Sequence, residues 1–287
     1  MKKPKVIAPA DPSFRIGCAG WSIPSGEAGL FPTDGSHLER YAQVFSCVEI
    51  NTSFYRSHQP KTYLRWANSV PDTFRFSVKM PRTVTHELRL RRCEVPVRGF
   101  LDEVASLGSK LGCILVQLPP SLELDENDAV VFFSLLRKCT PVSIACEPRH
   151  ASWFTPRGSS VLSNAGIACV QADPPPVAGG ECAGDESLLY IRLHGSPHMY
   201  YSAYDEAFLQ GVAAQMRVAR KEQRDAWCIF DNTARGEAMP NALTLLKRLG
   251  HADGHGQGPG LLHRCARTHC AHTRAAEDQG AHLHGDR

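Results

Sequence analysis

Short apolar runs alternate with amphipathic helical stretches along most of this chain, and that alternation restricts the folds open to it more than any other feature. Eight runs read as buried strands: 14–18, 47–51, 74–79, 113–118, 142–147, 167–173, 188–194 and 227–231. Between most of them lie helix candidates. The first opens with a capping box, Ser36-His37-Leu38-Glu39, ahead of Leu38, Tyr41, Ala42 and Phe45 on one face. Others cover about 60–69, 97–110, 126–138, 157–165, 204–221 and 238–249. Strand and helix in alternation argue for right-handed βαβ units and a parallel sheet.

Eight such units, with no glycine-rich phosphate loop after the first strand, favour a TIM-barrel-like (β/α) barrel over an open doubly wound sheet. The predicted organisation is an N-terminal extension over 1–13, one α/β barrel domain over 14–249 and a His/Gly-rich disordered tail over 250–287. The connection after Asp173 reads Asp-Pro-Pro-Pro-Val-Ala-Gly-Gly-Glu, which cannot form a helix, so the barrel is expected to be irregular around strand six. Past residue 250 no apolar period survives, and seven of the 13 histidines fall there. Their spacing with Cys265 and Cys270 matches no zinc-ligand pattern.

The formal charge of +3 is too small for a general nucleic-acid or membrane binder. No stretch approaches the ~20 apolar residues of a membrane span. Near the start, Val6-Ile7-Ala8 is cut off by Pro4 and Pro9, so no secretory segment is predicted and the protein is expected to be cytoplasmic. Of 11 cysteines, Cys18, Cys47, Cys113, Cys146, Cys169 and Cys228 sit in or beside strand runs and read as reduced core thiols.

Side chains alternate along a strand, so one parity faces the helices and the other the barrel interior. Val48 and Ile50 then point outward while Glu49 and Asn51 point in. Ile144 and Cys146 face out, leaving Ala145 and Glu147 inside; Leu189, Ile191 and Leu193 form an outer row against Tyr190, Arg192 and His194 within. The same parity turns Ser77, Lys79 and Gln117 inward and puts Asp173 at a strand tip. Barrel interiors are normally filled with branched apolar residues, and ionisable groups placed there must be paired, hydrated or used. These lie at carboxyl ends, where barrel enzymes keep their active sites.

Glu49 and Glu147 are therefore candidate acid and base, with a salt bridge to Lys79, Arg149 or Arg192 as the alternative. His194, just before Gly195, is a candidate proton carrier; His150 stands equally as a site residue or a neutral core histidine. Lys79, Arg149 and Arg192 offer convergent positive charge for an anion, unless it neutralises Glu49, Glu147, Asp173 and Asp231. A divalent metal on Glu49, Glu147, Asp173, His194 and Asp231 is chemically possible but not favoured, since no fixed-spacing ligand motif supports it. Trp21, Phe54, Tyr55, Trp153, Tyr200, Tyr201 and Tyr204 follow strand ends and suit either stacking on a ligand or pinning loops. The run Arg89, Arg91, Arg92 and Arg98 reads as a solvated loop.

The ordered series Ile16-Gly17-Cys18-Ala19-Gly20-Trp21-Ser22, Glu49-Ile50-Asn51-Thr52-Ser53-Phe54-Tyr55, Phe76-Ser77-Val78-Lys79, Thr85-His86, Gln117-Leu118-Pro119-Pro120, Glu147-Pro148-Arg149-His150 with Ser152-Trp153, Arg192-Leu193-His194-Gly195 and Phe230-Asp231-Asn232-Thr233 resembles the YecE-like family, or domain of unknown function 72. It spans about 14–249. The resemblance implies a TIM-barrel-like fold with a polar cavity at the strand carboxyl ends and supplies no reaction. The chain departs from the family pattern at Asp231, where relatives usually show asparagine, and at Pro148, where phenylalanine is more usual.

The leading expectation is an enzyme of hydrolase, lyase or isomerase type acting on a small polar, anionic substrate. Glu49, Glu147 and His194 would be catalytic. Trp21, Asn51, Tyr55, Lys79, Gln117, Arg149, His150, Trp153, Asp173, Arg192, Asp231 and Asn232 would bind the substrate. The alternative is a nucleic-acid or nucleotide binder using the rim aromatics and the arginines of 89–98, and a third reading is a non-catalytic scaffold with a closed salt-bridge interior. Nothing in the sequence sets the oligomeric state or names a cofactor.

Overall fold

The structure, a computed structural model, describes residues 14–250; the extension over 1–13 and the expected tail from 251 onward lie outside the described residues. Nine strands carry it: β1 Phe14–Cys18, β2 Cys47–Ile50, β3 Arg75–Lys79, β4 Leu111–Gln117, β5 Ser143–Glu147, β6 Ala168–Cys169, β7 Gln171–Asp173, β8 Leu188–Leu193 and β9 Asp225–Phe230. The helices between them are α1 His37–Ala42, α2 Pro60–Asn68, α3 Glu94–Val104, α4 Glu126–Cys139, α5 Pro156–Asn164, α6 Glu206–Lys221 and α7 Ala238–Gly250.

The helices start where side chains can satisfy their free amides. Ser36 and Glu39 close the reciprocal capping box on α1, and Asp125, Thr155 and Asp205 accept from backbone N–H groups at the starts of α4, α5 and α6. The helix expected over 97–110 instead runs from Glu94 to Val104 and continues as a 3-10 segment, because Gly108 takes φ +57 and ends regular winding. The proline-rich connection from Pro174 to Ser187 holds no helix.

Every strand pairing is parallel, but the strands form two sheets rather than one uninterrupted ring: β1-β9-β8-β7 and β2-β3-β4-β5-β6. The sheets meet at two seams. At the first, β1 and β2 share an isolated bridge from Ala19 to Glu49, and the Gly20 amide donates to the Glu49 carbonyl at 3.0 Å. Gly17 is required here, since a Cβ on it would lie 2.2 Å from the Cys47 carbonyl oxygen. The buried Tyr41 hydroxyl accepts from the Cys18 amide and donates to the Cys47 carbonyl, joining the two strands through a side chain.

The second seam corrects the expected single strand over 167–173. Ala168 and Cys169 pair with β5, whereas Gln171–Asp173 pair with β8, and the break falls at Val170, whose amide still reaches the Cys146 carbonyl. Cys169 also departs from the expectation of a free thiol, being joined to Cys182 by a disulfide. Residues after Cys182 run back along the same segment, the Asp185 amide donating to the Ile167 carbonyl at 2.8 Å, and this brings the two sulfurs together. Cys18, Cys47, Cys113, Cys146 and Cys228 are free and buried.

Strand parity sorts the core into two clusters. Val48, Ile50, Ile144, Cys146, Leu189, Ile191 and Leu193 pack with the helices. The opposite parity, Cys47, Cys113, Leu115, Ala145, Tyr190, Trp227 and Ile229, forms a separate cluster between the sheets, where the Tyr190 and Trp227 rings stack at 5.9 Å. Above this plug, toward the carboxyl ends, the same row turns ionic.

Candidate functional site

Arg192 stands at the centre of that ionic layer, 0% exposed. Its Nε and Nη2 donate to the two Glu49 oxygens at 3.1 and 2.7 Å, Nη1 donates to Glu147 at 2.6 Å, and Nη2 also donates to Asp231 at 3.0 Å. Three segments thus deliver carboxylates to the guanidinium that β8 supplies: β2, β5 and the residue following β9. A planar fork with five N–H donors suits three carboxylates better than a lysine would. Below it, Tyr190 hydroxyl contacts reach Glu49 at 2.9 Å and Ser77 at 2.7 Å.

This geometry corrects two expectations. Arg192 was expected to bind an anionic substrate, but its donors are occupied by Glu49, Glu147 and Asp231. Glu49 was expected to transfer protons, yet it is wholly buried beneath the layer with both oxygens on Arg192. It neutralises and orients the arginine.

His194, beyond the end of β8, bridges the remaining two acids: Nδ1 lies 3.1 Å from Asp231 and Nε2 lies 3.2 Å from Glu147. Gly195 makes the adjoining turn at φ +95, and a Cβ there would lie 2.8 Å from the Ser202 carbonyl oxygen. Burial pushes the imidazolium down, but the Asp231 and Glu147 hydrogen bonds outweigh it and raise His194 above its ordinary value. Burial likewise pushes Glu147 up, yet Arg192, His194 and Arg149 together hold it well below the usual carboxylate range. For Asp231 burial again opposes ionisation, and Arg192 and His194 overcome it. All three shifts favour the charged forms of the acid–histidine–acid chain.

A partly open rim surrounds this chain. Arg149 Nε reaches Glu147 at 2.9 Å, Gln117 donates to the same carboxylate at 2.9 Å, and the Asn51 amide donates to Asp231 at 3.3 Å. The Asn51 Oδ1 is buried without a partner. Lys79 ends β3 at 8% exposure. Among the described residues its ammonium has no hydrogen-bonded or ion-paired partner; it lies over the Phe54 ring, 4.2 Å from the centroid. Burial, then the Arg192 charge, push it down to about 8. His86 sits on a π-helical turn just past β3, a distortion frequent at functional sites, and its pKa is lowered by burial and then by Lys79, Arg82 and Arg149. Tyr200, at φ +70, sets its ring edge-on to His194 at 5.8 Å.

The remaining predicted site residues make contacts within the fold. Trp153 is 1% exposed and donates its indole N–H to the Leu122 carbonyl, so it pins a loop. Trp21 packs edge-on against Trp66 at 5.1 Å. Tyr55 is 74% exposed and meets Phe54 edge-on. His150 caps a 3-10 turn by accepting from the Ser152 amide. Asp173 accepts from the Tyr204 hydroxyl at 2.9 Å, and that hydroxyl also accepts from the Gly195 amide. Asn232 is fully buried, donating to the Ser202 carbonyl and to Asn241. Strand parity placed Tyr190 inside but gave it no site role. Tyr200 and His86 carry no periodic signal, because they come from loop turns.

Among the described residues, no group of three or more His, Cys, Asp or Glu is arranged to hold a metal ion, and the oxygens of Glu49, Glu147 and Asp231 face Arg192 and His194 instead. A cavity of about 280 Å³ is lined by Ala19, Gly20, Ser22, Thr233, Gly236 and Met239 among others, and by none of the charged residues of the ionic layer. Another of about 350 Å³ lies at Arg89, Arg91, Asp125 and Asp128, away from these charges, and its arginines are engaged: Arg91 with Asp125 and Asp128, Arg89 with Ser121. Arg98 pairs with Glu94. No helix among the described residues is long and apolar enough to cross a membrane.

Comparison with known proteins places the same residues in a family setting. The chain is 33% identical to the UPF0759 protein YecE of Escherichia coli K12 over 153 residues, 53% of this chain and 54% of that one, so the matched stretch spans about half the relative's length. It is 23% identical to the UPF0759 protein YunF of Bacillus subtilis over 270 residues, covering 82% and 94% of the two chains. A crystal structure of a DUF72 family protein from Thermotoga maritima superposes with a TM-score of 0.68 at 24% identity, covering 83% of this chain and all of that one. One from Enterococcus faecalis gives 0.66 at 22%, with coverage of 86% and 99%. The profile described as protein of unknown function DUF72 matches residues 15–261, and the chain belongs to that family.

Proposed function

We propose that this protein is an acid–base enzyme, of hydrolase, lyase or isomerase type, acting on a small polar molecule with an anionic group at the carboxyl ends of its strands. The two sheets are read as arcs of one (β/α) ring around that site, a reading supported by the seams at Ala19–Glu49 and at Val170. One observation carries the proposal: beside the hydrogen-bonded Asp231–His194–Glu147 chain stands a lysine whose ammonium has no acceptor from the described residues. Buried charge without a partner is costly unless a ligand or water supplies one. An anionic group resting on Lys79 beside Arg149 would supply it.

His194 is the proton carrier in this scheme. Asp231, whose side chain is 12% exposed, is the member of the chain that reaches toward solvent, while Glu147 holds the other ring nitrogen. Glu49 and Arg192 form the rigid floor. A nucleic-acid interface has less support, because Arg91 and Arg98 are held in ion pairs.

The test begins with native mass spectrometry of the purified full chain to identify a retained anion. Turnover of that compound is then measured in wild type and His194→Gln, with circular dichroism as the check on folding. The proposal expects turnover to fall at least a hundredfold with the ligand still bound, in line with loss of a general acid–base. Undiminished turnover in a folded His194→Gln protein contradicts it.

A further inference from the structure

We propose that Lys79 is a nucleophile, condensing through its ε-amine with the carbonyl carbon of an aldehyde or ketone that also carries an anionic group. The inference rests on the acid–base reading of this site and names its substrate class. Three features of the structure converge on it. Lys79 closes β3, so its backbone is fixed by the parallel pairing of β2, β3 and β4, and its carbonyl accepts from Ser53 Oγ at 2.6 Å. Its ammonium is mostly buried, yet it lies on a ring face instead of a carboxylate. An amine at this position is therefore held in place without being neutralised by an ion pair, which is the arrangement a nucleophilic lysine needs.

The third feature is electrostatic. Burial and the Arg192 charge bring Lys79 down to about 8, so about a tenth is neutral amine at pH 7. An exposed lysine near 10.4 is almost entirely charged there. Other groups facing it are Glu49, Asp231 and Glu147, which favour the ammonium, and His86, whose own protonated form Lys79 disfavours.

The chemistry balances without an added oxidant or reductant. The ammonium loses one proton to solvent, the amine lone pair forms an N–C bond, and the carbonyl oxygen takes up a proton to give a carbinolamine. Loss of that oxygen as water leaves a protonated imine. Its positive nitrogen acidifies the C–H of the carbon next to the imine carbon, and a carboxylate of the Asp231–His194–Glu147 chain takes up that proton to leave an enamine and then returns it. Isomerisation or carbon–carbon cleavage then follows more naturally than hydrolysis. Arg149 retains the role of holding the anionic group.

The experiment treats the full chain with dihydroxyacetone phosphate and cyanoborohydride at pH 7.5, with neutral dihydroxyacetone in parallel, and reads lysine adducts by peptide mass spectrometry. Lys79 is expected to label roughly tenfold faster than the exposed Lys61 and Lys138, its larger neutral fraction outweighing a weaker intrinsic nucleophilicity. Its labelling should rise with pH around a midpoint near 8, and inorganic phosphate should slow it. Lys79→Arg should keep the fold and lose that adduct alone. Labelling of Lys79 no faster than Lys61 and Lys138 overturns the inference, as does a pH midpoint above 10. If His194→Gln abolishes turnover while Lys79 stays unlabelled, the imine falls and the acid–base reading stands; labelled Lys79 with undiminished turnover in His194→Gln gives the reverse.

Discussion

Replacing Arg192 by methionine removes the one cation shared by Glu49, Glu147 and Asp231 while keeping a side chain of similar reach. Four hydrogen bonds at 2.6 to 3.1 Å are lost, all to carboxylates in a buried layer where only the Asp231 side chain keeps 12% exposure. Charge-assisted bonds contribute about 1.5–3 kcal/mol each, but they share one group and do not add. Breaking a buried pair costs about 3–5 kcal/mol, because the abandoned charge stays buried. With three carboxylates abandoned, the loss at pH 7 should reach at least the upper part of that range, a large fraction of the 5–15 kcal/mol typical of a folded domain. Urea denaturation at pH 7 and at pH 5 measures it. The deficit should shrink at pH 5, since without the guanidinium the acids bind protons more readily in the folded state. The exposed Arg98–Glu94 pair is the internal control, and Arg98→Met should leave stability nearly unchanged. A loss below about 1 kcal/mol for Arg192→Met, or a deficit that grows on acidification, would refute the reasoning.

The wild-type pH profile should have two edges. Glu147 and Asp231 have folded pKa values below their unfolded ones of about 4.3 and 3.9, so their contribution is present above that range and disappears as pH falls through the folded values. His194 is raised, so its contribution is complete below about 6.5 and disappears as pH rises through the folded value; His194→Gln should flatten that alkaline edge in denaturation series. Tyr204→Phe strips a hydroxyl that serves both Asp173 and the Gly195 amide, and calorimetry should find a loss of about 1–3 kcal/mol. Gly17→Ala forces a methyl against the Cys47 carbonyl at the β1–β2 seam, and urea denaturation should find at least the 1–3 kcal/mol typical of overpacking.

The α/β order and the inward polar row were legible because both follow from local periodicity. Period-two alternation alone separates Leu189, Ile191 and Leu193 from Tyr190, Arg192 and His194, and the two core clusters divide along that line. Ranges such as Glu126–Cys139 and Glu206–Lys221 were readable for the same reason. What escaped the sequence depends on which side chain meets which. Parity puts Glu49, Glu147 and Arg192 inside but cannot say that the guanidinium will be saturated, which moves Glu49 and Arg192 from ligand contact to floor. Trp153 reads like a rim aromatic, yet its indole finds a carbonyl within the fold. The break at Val170 has only a proline-rich neighbour to announce it, and the Cys169–Cys182 pairing depends on the path of an irregular connection. Tyr200 reaches His194 through a loop residue at positive φ, for which no periodic pattern exists.

The acid–base role depends on His194 carrying its charge between Asp231 and Glu147. Histidine-selective 15N labelling, with both ring nitrogens followed by NMR across pH 5 to 9, reads that directly. His194 should stay doubly protonated past 6.5, an effect lost in Asp231→Asn. A resonance that is already neutral at pH 6, with one ring nitrogen bare, would contradict it.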